Sequence, residues 1–253
     1  MDPSRRSVLS VPLVLAAGAA TAAPAVAADP PQQSPVDLRR TDVSRRRALP
    51  PLEVHYDRDA VVSLAYISQD AGEPGGCATR GVEETQQAGV QPGAGHVVVD
   101  GTRYDLLQTH FHTPSEHTVD GRHTPLEQHL VHASEDGRLL VVAVLLVEGE
   151  QGEADRLLAV LPDECADPVP VEHVDLRAMM PRRIAAVRYA GSLTTAPYTE
   201  GVQWFVVGSQ TVSAAGIASF RALFPDGDAR EVQPLSGRRI LADPAATAWL
   251  RRL

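Results

Sequence analysis

The stretch Tyr104-Asp105-Leu106-Leu107-Gln108-Thr109-His110-Phe111-His112 reads as a β-strand carrying two histidines two positions apart, and side chains so spaced on a strand leave the same face. A second strand-like stretch, Leu126-Glu127-Gln128-His129-Leu130-Val131-His132, offers a third imidazole, His129, across the sheet. Five of the nine histidines fall between positions 110 and 129. Three imidazoles without a fourth protein ligand leave one tetrahedral position open, as in a catalytic rather than a structural zinc. A lone His-x-His is more often a surface or packed pair, so its surroundings decide the reading. Glu127 stands two before His129 and Gln108 two before His110. From those positions each can accept the spare ring N–H, fix the tautomer and strengthen the ligand.

Outward from this core, further strand-like runs are Val61 to Ile67, His96 to Val99, Leu139 to Val147 and Val202 to Val207. Asp100-Gly101 and Asp136-Gly137 mark hairpin turns between them. Helical spacing is confined to Glu153–Leu161 and Ala214–Leu223. Residues 69–95, with seven glycines among polar residues, are the loosest stretch, and no internal repeat or long linker is present. The expectation is one domain over residues 28–253, mainly β (α+β), with a few short helices.

The composition agrees and excludes other classes. The chain has 253 residues, 43% of them hydrophobic, enough to exclude wholesale disorder. Its 32 acidic residues outnumber 23 basic ones, all arginine, for a net charge of −9. Such a surface does not attract nucleic acid or an anionic membrane. No apolar stretch beyond the N-terminus is long enough to span a bilayer. At the N-terminus, Arg5-Arg6 precede an apolar run from Val11 and an Ala-rich segment ending at Ala27-Ala28. That order marks residues 1–27 as an export signal. The paired arginines resemble a twin-arginine signal, with a plain secretory signal as the alternative. The protein is thus expected to be exported, secreted or in the periplasm or cell envelope, where a disulfide is permitted. Cys77 and Cys165 are the only cysteines; one bridge is the simplest reading, two unpaired thiols the other.

The segment from Leu106 to Gly121, including His110-Phe111-His112 and Ser115-Glu116-His117, resembles the metal-binding signature of the α-class carbonic anhydrases. Glu127-Gln128-His129 resembles the second zinc strand, and Gly191 to Pro197 leading to Trp204 resembles the substrate-side loop. Gln33-Ser34-Pro35-Val36-Asp37-Leu38 is similar to the family's opening motif, and Phe220-Arg221 through Gln233-Pro234-Leu235 to its closing one. The match spans roughly residues 33–240 in order. It implies a central twisted, largely antiparallel sheet with short peripheral helices, and a Zn2+ cofactor held by His110, His112 and His129. It implies that hydroxide on the zinc hydrates CO2 to bicarbonate and a proton. Thr194 would accept the hydroxide's hydrogen bond and pass its own proton to Glu116. Thr195 would lie beside the product, with Val131, Val141, Leu193, Val202 and Trp204 as the apolar wall for CO2. Gln108 and Glu127 would orient His110 and His129, a backbone carbonyl at Asp228 would orient His112, and His117 and Tyr189 would form a buried structural network.

Three departures from the family pattern stand out. No histidine occupies the proton-shuttle region, where Thr85 falls nearest, so slower proton release is expected; His96 and His123 are possible substitutes, with plain surface histidines the favoured reading. The aromatic N-terminal segment common in the family is absent before Gln33, which is expected to open one side of the active-site cone and lower stability. Tyr198 stands where many bacterial relatives have a disulfide-bonded cysteine. Two further functions remain in play: a carbonic-anhydrase-like zinc-binding module with little turnover, and a zinc hydrolase of activated esters. Retention of all three histidines and of the Thr194–Glu116 pair favours the lyase. The small-molecule substrate is the one partner implied; oligomeric state is not legible.

Overall fold

In the computed structural model, which describes residues 30–46, 49–67 and 84–253, the strands are β1 (Val43–Arg45), β2 (Glu53–Tyr56), β3 (Ala60–Ile67), β4 (Thr85–Val90), β5 (Gly95–Val99), β6 (Thr102–His112), β7 (Leu126–Ala133), β8 (Leu139–Glu148), β9 (Val169–Val174), β10 (Val187–Ser192), β11 (Glu200–Val212) and β12 (Ile240–Ala242). Three short helices accompany them: α1 (Ala154–Leu158), α2 (Ala214–Leu223) and α3 (Ala246–Leu250). The strands form one sheet in the order β1-β12-β10-β11-β8-β7-β6-β4-β3-β9, with β5 pairing β2 and the start of β6. Pairing is antiparallel except at β1–β12 and at β8–β11 in the middle. The largely antiparallel expectation thus holds within a mixed sheet.

The central strand β8, Leu-Leu-Val-Val-Ala-Val-Leu-Leu-Val-Glu, is apolar on both faces because both faces are covered. Leu140, Val142, Val144 and Leu146 join the core on one side, with Phe111, Leu126, Leu130 and Phe220. Val141, Ala143 and Leu145 join a second core on the other, with Trp204, Val206 and Tyr189.

Between Leu106 and Gln108 the pairing of β6 with β7 slips by one residue, so Leu107 is an extra residue, a β-bulge. Tyr104 and Leu106 therefore face the first core, as do Thr109 and Phe111 beyond the bulge, while Gln108, His110 and His112 are turned to the opposite face. Leu107 itself is 47% exposed.

The hairpin turn read at Asp100-Gly101 joins β5 to β6, with φ of 50° and 73°, and Asp136-Gly137 lies in the turn from β7 to β8. The helix expected over 214–223 is α2, capped by Ser213, whose hydroxyl accepts the Gly216 N–H at 3.0 Å. One correction falls in the loose stretch 69–95: residues 85–90 form β4, paired with both β3 and β6. Its polar sequence, Thr-Gln-Gln-Ala-Gly-Val, hid it. The export signal read at 1–27, Cys77 and residues 68–83 lie outside the described residues; Cys165 is disulfide-bonded.

Candidate metal centre

β6 and β7 pair so that His110 stands directly opposite His129, with His112 two residues further along β6. All three rings are buried, at 9%, 2% and 1% exposure for His110, His112 and His129. Each has one nitrogen committed to an acceptor. His110 Nδ1 donates to Gln108 Oε1 at 2.8 Å, His129 Nε2 to Glu127 Oε1 at 2.9 Å, and His112 Nδ1 to the Asp228 carbonyl at a long 3.4 Å. These acceptors fix the tautomers and leave a lone pair on each of the other nitrogens.

Those free nitrogens converge. The three residues offer ligand atoms within 4.8 Å of one another, with His110 Nε2 and His129 Nδ1 3.3 Å apart. That is about the edge of a tetrahedron whose ligands stand 2.0–2.1 Å from zinc. His112 Nε2 is buried without a hydrogen-bond partner among the described residues. Burial, reinforced by the neighbouring imidazoles, drives the His110 pKa well below its usual value. Burial also lowers His129, against the pull of Glu127. Neutral rings are what metal ligation needs, and the set fits a metal ion.

A buried relay stands behind His129. Burial pushes the Glu127 carboxylate up, but His117, followed by the bond from His129, outweighs it and holds the pKa well below normal. Glu127 Oε1 takes His117 Nδ1 at 2.6 Å, and Oε2 takes the His117 N–H at 2.7 Å. His117 Nε2 lies 2.7 Å from the Tyr189 hydroxyl, itself 3.0 Å from Ser34 Oγ. The network expected of His117 and Tyr189 is therefore present and reaches the opening motif.

Glu116 is 1% exposed, and burial raises its pKa despite the hydrogen bond from the Arg230 N–H and the nearby Thr194 side chain. Its Oε1 accepts the Arg230 N–H at 3.0 Å; its Oε2 lies 3.7 Å from His112 Nε2. Asp228 turns its Oδ1 to the Thr113 N–H at 2.7 Å, and burial raises its carboxyl to about 6.

The centre opens into a cavity of about 260 Å³ lined by both apolar and polar side chains. Ile67, Val131, Leu139, Val141, Leu193 and Trp204 are the apolar ones; Thr85, Gln87, Gln108, Thr194 and Thr195 are polar. Val202 lies fully buried in the same core but outside this lining. Among the described residues, the titratable side chains that line the cavity are His110 and His129 alone. Thr85 donates to the Phe111 carbonyl at 2.6 Å. His96 instead stacks on His55, 4.7 Å between ring centroids, and His123 Nδ1 holds the Ser115 carbonyl at 2.5 Å. The sequence reading missed Gln87, Ile67 and Leu139, which also line the cavity, and Arg230 behind it. Gln87 was concealed in the polar strand β4, and Arg230 inside the closing motif.

Fold and site together define a class: a mixed-sheet protein with three buried histidines that could hold a metal ion beside a pocket of apolar and polar side chains. A family model described as eukaryotic-type carbonic anhydrase matches residues 22–244. A carbonic anhydrase of Klebsiella pneumoniae is 35% identical over 213 residues, covering 83% of this chain and 79% of that one. The solved α-carbonic anhydrase of Thermovibrio ammonificans, in complex with sulfanilamide, is 33% identical with a TM-score of 0.69, covering 83% of this chain and 86% of that one. Carbonic anhydrase Cah3 of Chlamydomonas reinhardtii, in complex with acetazolamide, has a TM-score of 0.71 at 26% identity, covering 84% and 90%. The chain belongs to the eukaryotic-type, or α, carbonic anhydrase family.

Proposed function

We propose that this chain is an exported zinc enzyme, its catalytic domain spanning residues 28–253, that interconverts CO2 and bicarbonate. The observation that carries the proposal is the convergence of three imidazole nitrogens, each ring fixed from behind, beside a pocket lined by apolar and polar side chains. His110, His112 and His129 hold the metal. Zinc supplies Lewis acidity, making water nucleophilic near neutral pH. Thr194, beside Glu116, would donate to that carboxylate, present only acceptor lone pairs to the centre and so orient a donor there. Val131, Val141, Leu193 and Trp204 hold the weakly polar CO2 without competing for hydrogen bonds, with Val202 packed behind them. Thr195, which lines the cavity, would hydrogen-bond bicarbonate. Protons leave to buffer rather than through a histidine, because the cavity's titratable side chains are themselves ligands. The leader read at residues 1–27 places the activity outside the cytoplasm. Among the described residues no helix is long and apolar enough to cross a membrane.

The test is CO2 hydration by the zinc-loaded protein across a series of buffer concentrations. Activity that vanishes on chelation and in His129→Ala, and climbs steeply with buffer, is expected. Activity no higher than the chelated control would sink the enzyme reading, and activity independent of buffer would sink the missing shuttle.

A further inference from the structure

Arg230 touches three separate parts of the molecule. Its backbone N–H holds Glu116 Oε1 at 3.0 Å. Its Nη1 donates to Gln33 Oε1 at 3.0 Å and to the Ser34 carbonyl at 2.7 Å. Its guanidinium lies over the Tyr198 ring, with Cζ 3.7 Å from the centroid. Among the described residues the guanidinium forms no ion pair, so its partners are two amide oxygens and a ring face.

Tyr198 closes the turn that carries Thr194 and Thr195. Its N–H donates to the Thr195 carbonyl at 2.9 Å, and the Leu193 N–H donates to the Thr199 carbonyl at 2.9 Å. Tyr198 also sits at φ +58°, where a side chain other than glycine is unfavourable and surrounding contacts must hold it. The guanidinium on its ring is one such contact. Gln33 adds another tie, its Nε2 donating to the Tyr198 carbonyl at 3.3 Å and to Glu200 Oε1 at 2.7 Å.

We propose that Arg230 is a positioning residue that sets Glu116 and the Thr194 turn relative to one another, the backbone N–H fixing the carboxylate and the side chain clamping the turn through Tyr198 and the segment at Gln33-Ser34. The proposal rests on the reading that Glu116 and Thr194 act at the metal centre. It adds that their alignment is imposed from outside the cavity, by a residue that touches neither metal ligands nor cavity wall. Every side-chain variant keeps the backbone N–H to Glu116, so substitution isolates the clamp on the turn.

The experiment compares Arg230→Gln, Tyr198→Leu and Tyr198→Phe. Loosening the turn should lower kcat/KM about tenfold in Arg230→Gln and Tyr198→Leu. Tyr198→Phe, which keeps the ring face, should restore it, and metal affinity by chelator competition should hold in all three. The double variant Arg230→Gln/Tyr198→Leu should be no worse than Arg230→Gln alone, since the ring contact that Tyr198→Leu removes is among those that Arg230→Gln breaks. Amide hydrogen exchange over residues 193–200 gives a readout free of activity: protection at Leu193 and Tyr198 falls in the first two variants and is kept in Tyr198→Phe. Unchanged exchange in Arg230→Gln overturns the clamp whatever the rates show. So does activity lost in Tyr198→Phe as fully as in Tyr198→Leu. A wild-type protein without CO2 hydration, but with exchange altered as expected, would discard the enzymatic reading and keep the clamp.

Discussion

Position 191 has no room for a side chain. A Cβ there would stand 2.1 Å from Ser34 Oγ and 3.0 Å from Trp204 Cδ1. The bare backbone lets Ser34 approach closely enough to exchange hydrogen bonds with Ser192, Ser34 N–H to Ser192 Oγ at 3.0 Å and Ser192 N–H to Ser34 Oγ at 3.1 Å. Gly191→Ala should therefore cost about 1–3 kcal/mol through overpacking, read as a lower midpoint in urea denaturation. Adding Ser34→Ala, which removes the clashing oxygen, should give a total below the sum of the two single losses, a sign of direct contact. At this scale the legible residues were those whose partners are close in sequence. Gln108 and Glu127 each lie two positions from the imidazole they hold, so strand periodicity sufficed. The Asp228 carbonyl on His112, 116 residues away, was reached only through the family resemblance. The Arg230 clamp left no local trace.

The element that most needs its detailed geometry is β6. Continuous alternation from Tyr104 would have placed both of its histidines on the face of Leu106, in the first core. The extra residue at Leu107 turns them to the opposite side. Deleting Leu107 removes the extra residue and leaves regular alternation, with Leu106 on the core face and Gln108, His110 and His112 on the other, so stoichiometric metal binding, measured by metal content after dialysis, should be kept. Leu107→Ala keeps the count, and at a site 47% exposed it should change stability by no more than about 0.5 kcal/mol. The strand itself was legible from its β-branched, aromatic and alternating residues; the bulge was not, because it depends on how β7 pairs with it. β4 escaped notice for a related reason. Thr85 and Gln87 line the cavity and Gln86 is buried with its Nε2 on the Pro162 carbonyl at 2.7 Å, so a strand between two neighbours carries the polarity of a loop.

Across the whole molecule the sheet separates two apolar cores, and polar groups buried in its middle tie stability to pH. His132, on β7, is fully buried, with Nε2 2.7 Å from the Tyr56 hydroxyl and Nδ1 3.2 Å from the Leu140 carbonyl. Burial lowers its pKa from 6.5 to about 4. The unfolded chain therefore binds the extra proton first, so this group's contribution is complete above pH 6.5 and is lost as pH falls toward 4. The shift corresponds to about 3 kcal/mol. His132→Gln should start less stable at pH 7 and lose less between pH 6.5 and 4 than the wild type does, followed by urea denaturation at each pH. Parallel curves would refute the assignment.

Sequence by itself determined the strand-rich class, the three candidate ligand histidines with their nearest acceptors, and the family, because each is written in spacing along one or two strands or in contiguous motifs. Tertiary structure decided which face the histidines take, which strands flank the pocket, and how Ser34, Glu116, Tyr198 and Arg230 meet. Those depend on pairing register and on contacts between residues 32 to 196 positions apart, which local patterning does not encode.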